Sequence, residues 1–267
     1  MASPNIYPNG AGGSSGDKFA TRSPVYTSGL IYYLHSGTGS DSNAGLEREK
    51  PLATLSQAIT NTVAGDTIVA LSGHSESLAV GLTFAKALLI AGEGTGSSRP
   101  KFTCTGAGID MFNVTAAGVQ FRNLYFPAPT ADGYRVSSSA AGTVVDGCYF
   151  EHGTADTTAQ GVYLGSNANH ARILNTTFIV TSTTTRPAGA IRVANAIADL
   201  TLDTVVIDGG TVGWANPYAV LGSAAVTRLS AVDIDLLRGS DVSLATGTTG
   251  IITLRNKTGS SRIVWAA

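Results

Sequence analysis

Charge is scarce in this chain. Lys, Arg, Asp and Glu make up 13% of its 267 residues, about half the share of an ordinary globular protein. The net charge is −1. Nucleic-acid binding needs a basic field, so bulk electrostatics speak against it. Two cysteines, Cys104 and Cys148, are too few for a disulfide framework or a thiolate zinc site. Both are expected as buried free thiols. No apolar run reaches membrane-spanning length. The opening residues, MASPNIYPNGAGGSSGD, lack a basic stretch followed by an apolar core, so no secretory signal is expected. Tryptophan occurs only at Trp214 and Trp265. A long aromatic face for stacking sugars is therefore not expected.

Gly, with 32 residues, and Ser, Thr and Ala fill the place of charge. That composition suits tight turns and stacked β-surfaces. The pattern along the chain agrees. An apolar residue, a small or amide residue two positions on, and an apolar residue three further recur five times. They are Phe121-Asn123-Phe126, Val145-Gly147-Phe150, Ile173-Asn175-Phe178, Leu202-Thr204-Ile207 and Leu229-Ala231-Ile234, at steps of 24, 28, 29 and 27 residues. A second column of period-2 segments keeps pace: Tyr134-Val136, Val162-Leu164, Ile191-Val193, Ala219-Leu221 and Val242-Leu244. Strand-bearing repeats of this length predict a solenoid of about seven coils, each burying its face on the next.

The N-terminal part reads differently. Residues 1–30 hold Pro4, Pro8, Pro24 and the run Asn9–Gly16 without periodicity. Such a segment is either a loose terminus or an arm that orders on a partner. The arm is the reading carried forward, with Ile6, Tyr7, Phe19 and Tyr26 as its anchors. The β-helix domain is expected over 31–267. Leu30–Leu34 reads as the first strand, then Ser36–Ala44 as a polar loop. An amphipathic helix follows over about 51–63, opened by Pro51 and lined by Leu52, Leu55, Ile59 and Val63.

The stretches GSDSNAG (Gly39–Gly45), KPLATLSQAI (Lys50–Ile59) and GDTIVAL (Gly65–Leu71) together resemble the N-terminal turn of right-handed parallel β-helix proteins of the pectate-lyase-like superfamily. Ala87–Gly96 is similar to that family's second coil. The resemblance implies an all-β right-handed parallel β-helix with a short capping helix. It leaves the activity open, because the same cap occurs in lyases, hydrolases, epimerases, phage tailspikes and phage structural proteins.

Candidate chemistry is sparse. Counting from the first residue of each repeat, position six holds Pro127, Glu151, Ile179, Asp208 and Asp235. Asp208 and Asp235 are expected on adjacent coils about 5 Å apart, near the spacing of a retaining glycosidase pair. The alternative is a pair of polar turn residues. Pectate lyases pair an acidic Ca²⁺ cluster with a basic residue, and no dense acidic cluster here faces Arg172, Arg186, Arg192, Arg228 or Arg238. No metal and no cofactor are expected. His35, His74, His152 and His170 are scattered in the repeat and are expected in loops or turns. Asn167 and Asn169 on a polar loop, and Trp214 with Tyr218 on another, are candidate contacts for a glycan or another subunit. Asn123, Asn175 and Asn256 are expected as a structural amide ladder. The function expected first is a non-enzymatic bacteriophage virion protein: a homotrimeric capsid decoration protein held by its arm to the major capsid protein or to tail proteins. The alternative is a tailspike or fibre protein that binds or degrades polysaccharide.

Overall fold

A computed structural model describes residues 29–158, 160–215, 219–258 and 263–265. Ile6, Tyr7, Phe19, Tyr26 and Tyr218 lie outside them. The chain winds into a parallel β-solenoid of three ribbons. In the first ribbon the ladder runs Ile31, Thr67, Leu89, Gln120, Val144, Arg172, Thr201 and Ser230. The second ribbon stacks Ser75–Leu78, Lys101–Cys104, Tyr125–Phe126, Tyr149–His152, Thr177–Val180 and Val206–Asp208. The third is an eight-stranded sheet that includes Ile109–Val114, Gly133–Ser138, Gln160–Leu164 and Gly189–Val193. The expectation of about seven coils is right to about one.

The amide or small residue of the repeat has a conformational cause. Asn123 (φ 53°), Gly147 (64°), Asn175 (48°), Thr204 (53°) and Asp233 (54°) all sit in the left-handed region. Each turns the chain sharply between the first and second ribbons. The turn does not break the ladder: Asn123, Gly147, Asn175 and Thr204 donate their backbone N–H to Asp146, Leu174, Asp203 and Val232 of the next coil. Asn and Gly tolerate this conformation, whereas β-branched residues do not. The amide-ladder reading therefore needs correction. Asn123 does serve backbone, donating to the carbonyls of Gly92 and Gly94 at 2.8 and 2.9 Å. Asn175, however, bonds the Asp146 carboxylate, and Asn256 lies within the strand Gly250–Lys257. Thr204 is the misfit of the corner column. Thr204→Asn is expected to stabilise the fold by on the order of 1 kcal/mol, read as a higher midpoint in urea unfolding.

The N-terminal motifs act as clamps. The Asp41 carboxylate accepts from the N–H groups of Ala53 and Thr54, both at 2.9 Å, and from the Thr54 hydroxyl at 2.8 Å. Asn43 donates to the Pro51 carbonyl at 2.8 Å. Asp66 accepts from Leu30 and Val63 N–H, each at 2.7 Å. These bonds hold the stretch before Thr54 extended, with Leu52 bridged to Leu34. The helix α1 is thus Leu55–Asn61, capped by the Thr54 hydroxyl and by Glu76 on Leu55 N–H. It is shorter than the expected 51–63. Leu52 and Leu55 are buried as expected, but Val63 is exposed.

The core is one continuous column. Phe126, Phe150 and Phe178 stack at 4.4 and 4.8 Å between ring centres. Phe84, Phe102, Phe112 and Phe121 pack edge-on or stacked beside them. Cys104 and Cys148 are buried and free, as expected. Burial pushes the Cys148 thiol up to about 12, so it is inert at neutral pH. No described helix is long and apolar enough to cross a membrane.

Candidate functional site

Strand register decides what the outward carboxylates can do. Leu202 pairs with Ala231, so the last repeat unit is Ala231-Asp233-Leu236 rather than Leu229-Ala231-Ile234. Asp208 then faces Leu237, and Asp235 faces Val206. The expected Asp208–Asp235 pair does not form. Glu151 faces Ile179, which faces Asp208. Glu151 and Asp208 are therefore two coil spacings apart, about 10 Å by strand geometry. No two of the three candidate acids are neighbours.

Three outward aspartates, Asp199, Asp208 and Asp235, are each clasped by an arginine from the following coil. Asp208 takes both prongs of Arg238, with Arg238 Nε at 2.6 Å from Oδ1, and accepts from Gly210 N–H at 3.0 Å. Asp235 takes both prongs of Arg255. Asp199 takes both prongs of Arg228 and stands 2.9 Å from His170 Nδ1. Burial pushes the Asp208 carboxyl up, but the Arg238 hydrogen bonds and Gly210 N–H outweigh it and hold the group below the ordinary carboxylate range. For Asp199 the Arg228 hydrogen bonds are the main depressing cause. Such groups are poor general bases at neutral pH.

A second cluster was not expected. Arg135, His152 and Asp156 are all fully or almost fully buried. Both prongs of Arg135 hold Asp156, and the guanidinium also donates to the carbonyls of Gly133 and Glu151 at 3.2 and 3.1 Å. Asp156 accepts from Gly153 N–H at 3.1 Å. His152 Nδ1 lies 3.4 Å from Asp156 Oδ2 without hydrogen-bond alignment. Burial holds the His152 imidazole below its ordinary value. Burial raises the Asp156 carboxyl, but His152 and Arg135 more than reverse this. His74 is likewise buried, against Phe102 and Glu76. His152 is thus a core strand residue rather than a loop residue, whereas His74 lies in the expected turn, before Ser75–Leu78, with its ring buried. His152 could have been found: it follows Phe150 by two positions in an inward-facing strand.

Trp214 is also corrected. It is buried, with its ring 4.9 Å from His152 and Nε1–H donating to Ser240 Oγ at 3.1 Å. It cannot stack on a ligand or on another subunit. Asn169 uses Oδ1 to accept from Ala198 N–H at 2.8 Å, and Asn167 is an exposed left-handed turn residue. Both lie between the third and first ribbons. Trp214 lies between the second and third, so these candidates do not converge.

The concave feature near Asp208 is an open groove of about 420 Å³. Three successive loops between the second and third ribbons build it. The first supplies Arg186, the second Gly210 to Trp214, and the third Arg238, Gly239 and Asp241. Gly213 and Gly239 are both left-handed and face each other across adjacent coils, a Cβ added to Gly213 coming 3.7 Å from the Gly239 carbonyl. The floor is therefore bare backbone. Among the described residues no group of three His, Cys, Asp or Glu is placed to hold a metal ion.

These features define the chain as a parallel β-helix with coil-to-coil ion pairs and a polar groove among its described residues. Among solved structures it is similar to a rhamnogalacturonan lyase, at 16% identity and TM-score 0.54, over 89% of this chain and 62% of that one. It is also similar to pectate lyase Pel9A, at 11% identity and TM-score 0.48, over 89% of this chain and 78% of that one. No family model and no curated protein matches. The chain spans less than two thirds of the rhamnogalacturonan lyase. At this identity the likeness to the rhamnogalacturonan lyase shows the parallel β-helix fold alone.

Proposed function

We propose that this chain is a non-catalytic structural β-helix that assembles as a homotrimer on a bacteriophage particle, with residues 1–30 as the anchor on the major capsid protein or on tail proteins. One observation carries the non-catalytic reading: Asp199, Asp208 and Asp235 each spend their carboxylate on an arginine of the next coil. These acids serve coil cohesion. The virion setting is an inference from the low charge, the aperiodic Pro/Gly-rich segment and the resemblance of the cap to phage structural proteins. Three arms and three coils would make a weak contact multivalent.

Light scattering on the purified full chain is expected to give the mass of three chains. Incubation with pectin, capsule or lipopolysaccharide is expected to release no oligosaccharide. A monomer mass removes the trimer. Polymer cleavage that Asp208→Asn abolishes replaces this reading with a polysaccharide-degrading one.

A further inference from the structure

The second and third ribbons carry matching tyrosine ladders with opposite charges at their ends. On the second ribbon, Lys101, Tyr125 and Tyr149 stand in register over three coils. Lys101 Nζ lies 5.7 Å from the Tyr125 ring centre, and the two rings meet edge to face at 5.6 Å. Glu151 closes this ladder, two residues beyond Tyr149 in the same strand and beside the Tyr125 hydroxyl. On the third ribbon, Asp110 pairs with Tyr134, whose ring packs on Tyr163 at 4.7 Å. Arg192 closes that ladder beside the Tyr134 hydroxyl, with its guanidinium 5.9 Å from the Tyr163 ring centre. The second ribbon thus runs positive, Tyr, Tyr, negative. The third runs negative, Tyr, Tyr, positive.

Coil cohesion leaves these charges over. Lys101, Asp110, Glu151 and Arg192 form no ion pair among the described residues. Glu151 accepts from Ala128 N–H at a long 3.5 Å. Arg99, two residues before Lys101, adds to the positive end, and Asp208 near Tyr149 is already held by Arg238. All eight ladder residues are half-buried, so each keeps part of its side chain for an outside contact. Tyrosine and arginine are the residues that interfaces favour over ordinary surface.

The levels match as well. Lys101 and Asp110 belong to one coil, Tyr125 and Tyr134 to the next, and Tyr149 and Tyr163 to the one after. Glu151 and Arg192 differ by one coil, about 4.8 Å. Rotation about an axis parallel to the coil axis keeps every residue at its level. It can therefore lay the second ribbon of one chain on the third ribbon of a second copy, charge against opposite charge and tyrosine against tyrosine. The two ribbons are different faces of the solenoid, so such a contact is heterologous and closes into a ring that covers both faces of every chain. A twofold dimer that pairs one ribbon with its own copy leaves the other ladder bare.

We propose that the homotrimer is held by this contact, the second ribbon of each chain against the third ribbon of the next, with Lys101 facing Asp110, Glu151 facing Arg192 and the tyrosines between. The interface rests on the homotrimer of the proposed function and adds which faces meet.

Light scattering of the full-length protein over a dilution series reads the concentration at which the trimer dissociates. Tyr163→Ala should raise that concentration about thirtyfold, as truncation of a central interface aromatic does. Lys101→Asp sets two acids against each other and should raise it about tenfold. The double reversal Lys101→Asp/Asp110→Lys restores opposite charges between chains and should recover most of that loss. Circular dichroism should be unchanged in all three, and the charge reversals decide the matter if Tyr163→Ala fails to fold. A trimer untouched by Tyr163→Ala and Lys101→Asp overturns this interface and leaves the homotrimer standing. A double reversal no tighter than Lys101→Asp overturns the Lys101–Asp110 contact. A wild-type mass of one chain overturns the homotrimer and the interface with it, and a mass of two chains overturns the ring.

Discussion

Asp156→Ala is expected to lower the unfolding free energy by about 3–5 kcal/mol, the usual cost of stranding one member of a buried ion pair. The carboxylate holds both prongs of Arg135 and the Gly153 N–H in a fully buried setting. Its removal leaves a buried guanidinium with its paired carboxylate gone. The double variant Arg135→Met/Asp156→Ala separates charge from shape. Removing both ions should recover much of the loss, because an apolar replacement spares the desolvation of the cation. Urea unfolding of the three proteins measures this, and a double variant no more stable than Asp156→Ala would show that packing alone sets the cost. The same cluster gives a pH dependence. His152 is held below its ordinary value by burial, so the folded state resists protonation more than the unfolded state does. The unfolded chain takes up that proton as pH falls below about 6.5, and stability drops there by at most about 1.4 kcal/mol per pH unit. Asp156, also depressed, adds its own loss only below the ordinary carboxylate range. His152→Leu should flatten the first part of the acid limb and leave the second.

Much of this fold was legible because the repeat marks a physical necessity. The five repeat units from Phe121 to Leu236 turn between the first and second ribbons through a left-handed residue, and Asn123, Gly147 and Asn175 are residue types that accept it. The N-terminal cap was legible for a similar reason, since Asp41, Asn43 and Asp66 are side chains whose acceptors and donors hold fixed backbone groups. The register of the last repeat was not legible. Leu229, Ala231, Ile234 and Leu236 offer apolar residues in both frames, and the strand pairing together with the left-handed φ of Asp233 shows which frame the chain uses. A slip of two residues keeps every side chain on its own face, so hydrophobicity could not detect it. That slip created the Asp208–Asp235 pair on paper. The helix start was misplaced because Pro51 suits a first turn while the Asp41 carboxylate keeps Ala53 and Thr54 extended. Arg135 and Asp156 were missed because charged residues near a loop read as surface, and burial of a paired charge is a tertiary fact.

Phe150→Ala is the other substitution expected to cost about 3–5 kcal/mol, the range for truncating a buried phenylalanine. The ring is fully buried and is the middle of three, 4.4 Å from Phe126 and 4.8 Å from Phe178. Its neighbours are held at the coil spacing by the ladder, so they cannot close over the hole. A solenoid depends on nearest-neighbour interfaces, and this one substitution weakens two of them. Phe178→Ala loses only one of the three-ring stack's contacts, that with Phe150, and faces His152 at 6.3 Å on another side. The alanine at 150 should therefore be the more damaging, by about 0.5–1.5 kcal/mol for the additional aromatic contact. Phe150→Leu should fall between wild type and Phe150→Ala, because it fills volume without restoring the stack. Urea midpoints for the three variants decide the matter. If Phe178→Ala proves the costlier, local collapse around each cavity sets the stability of this column, and the stacking of rings from coil to coil does not.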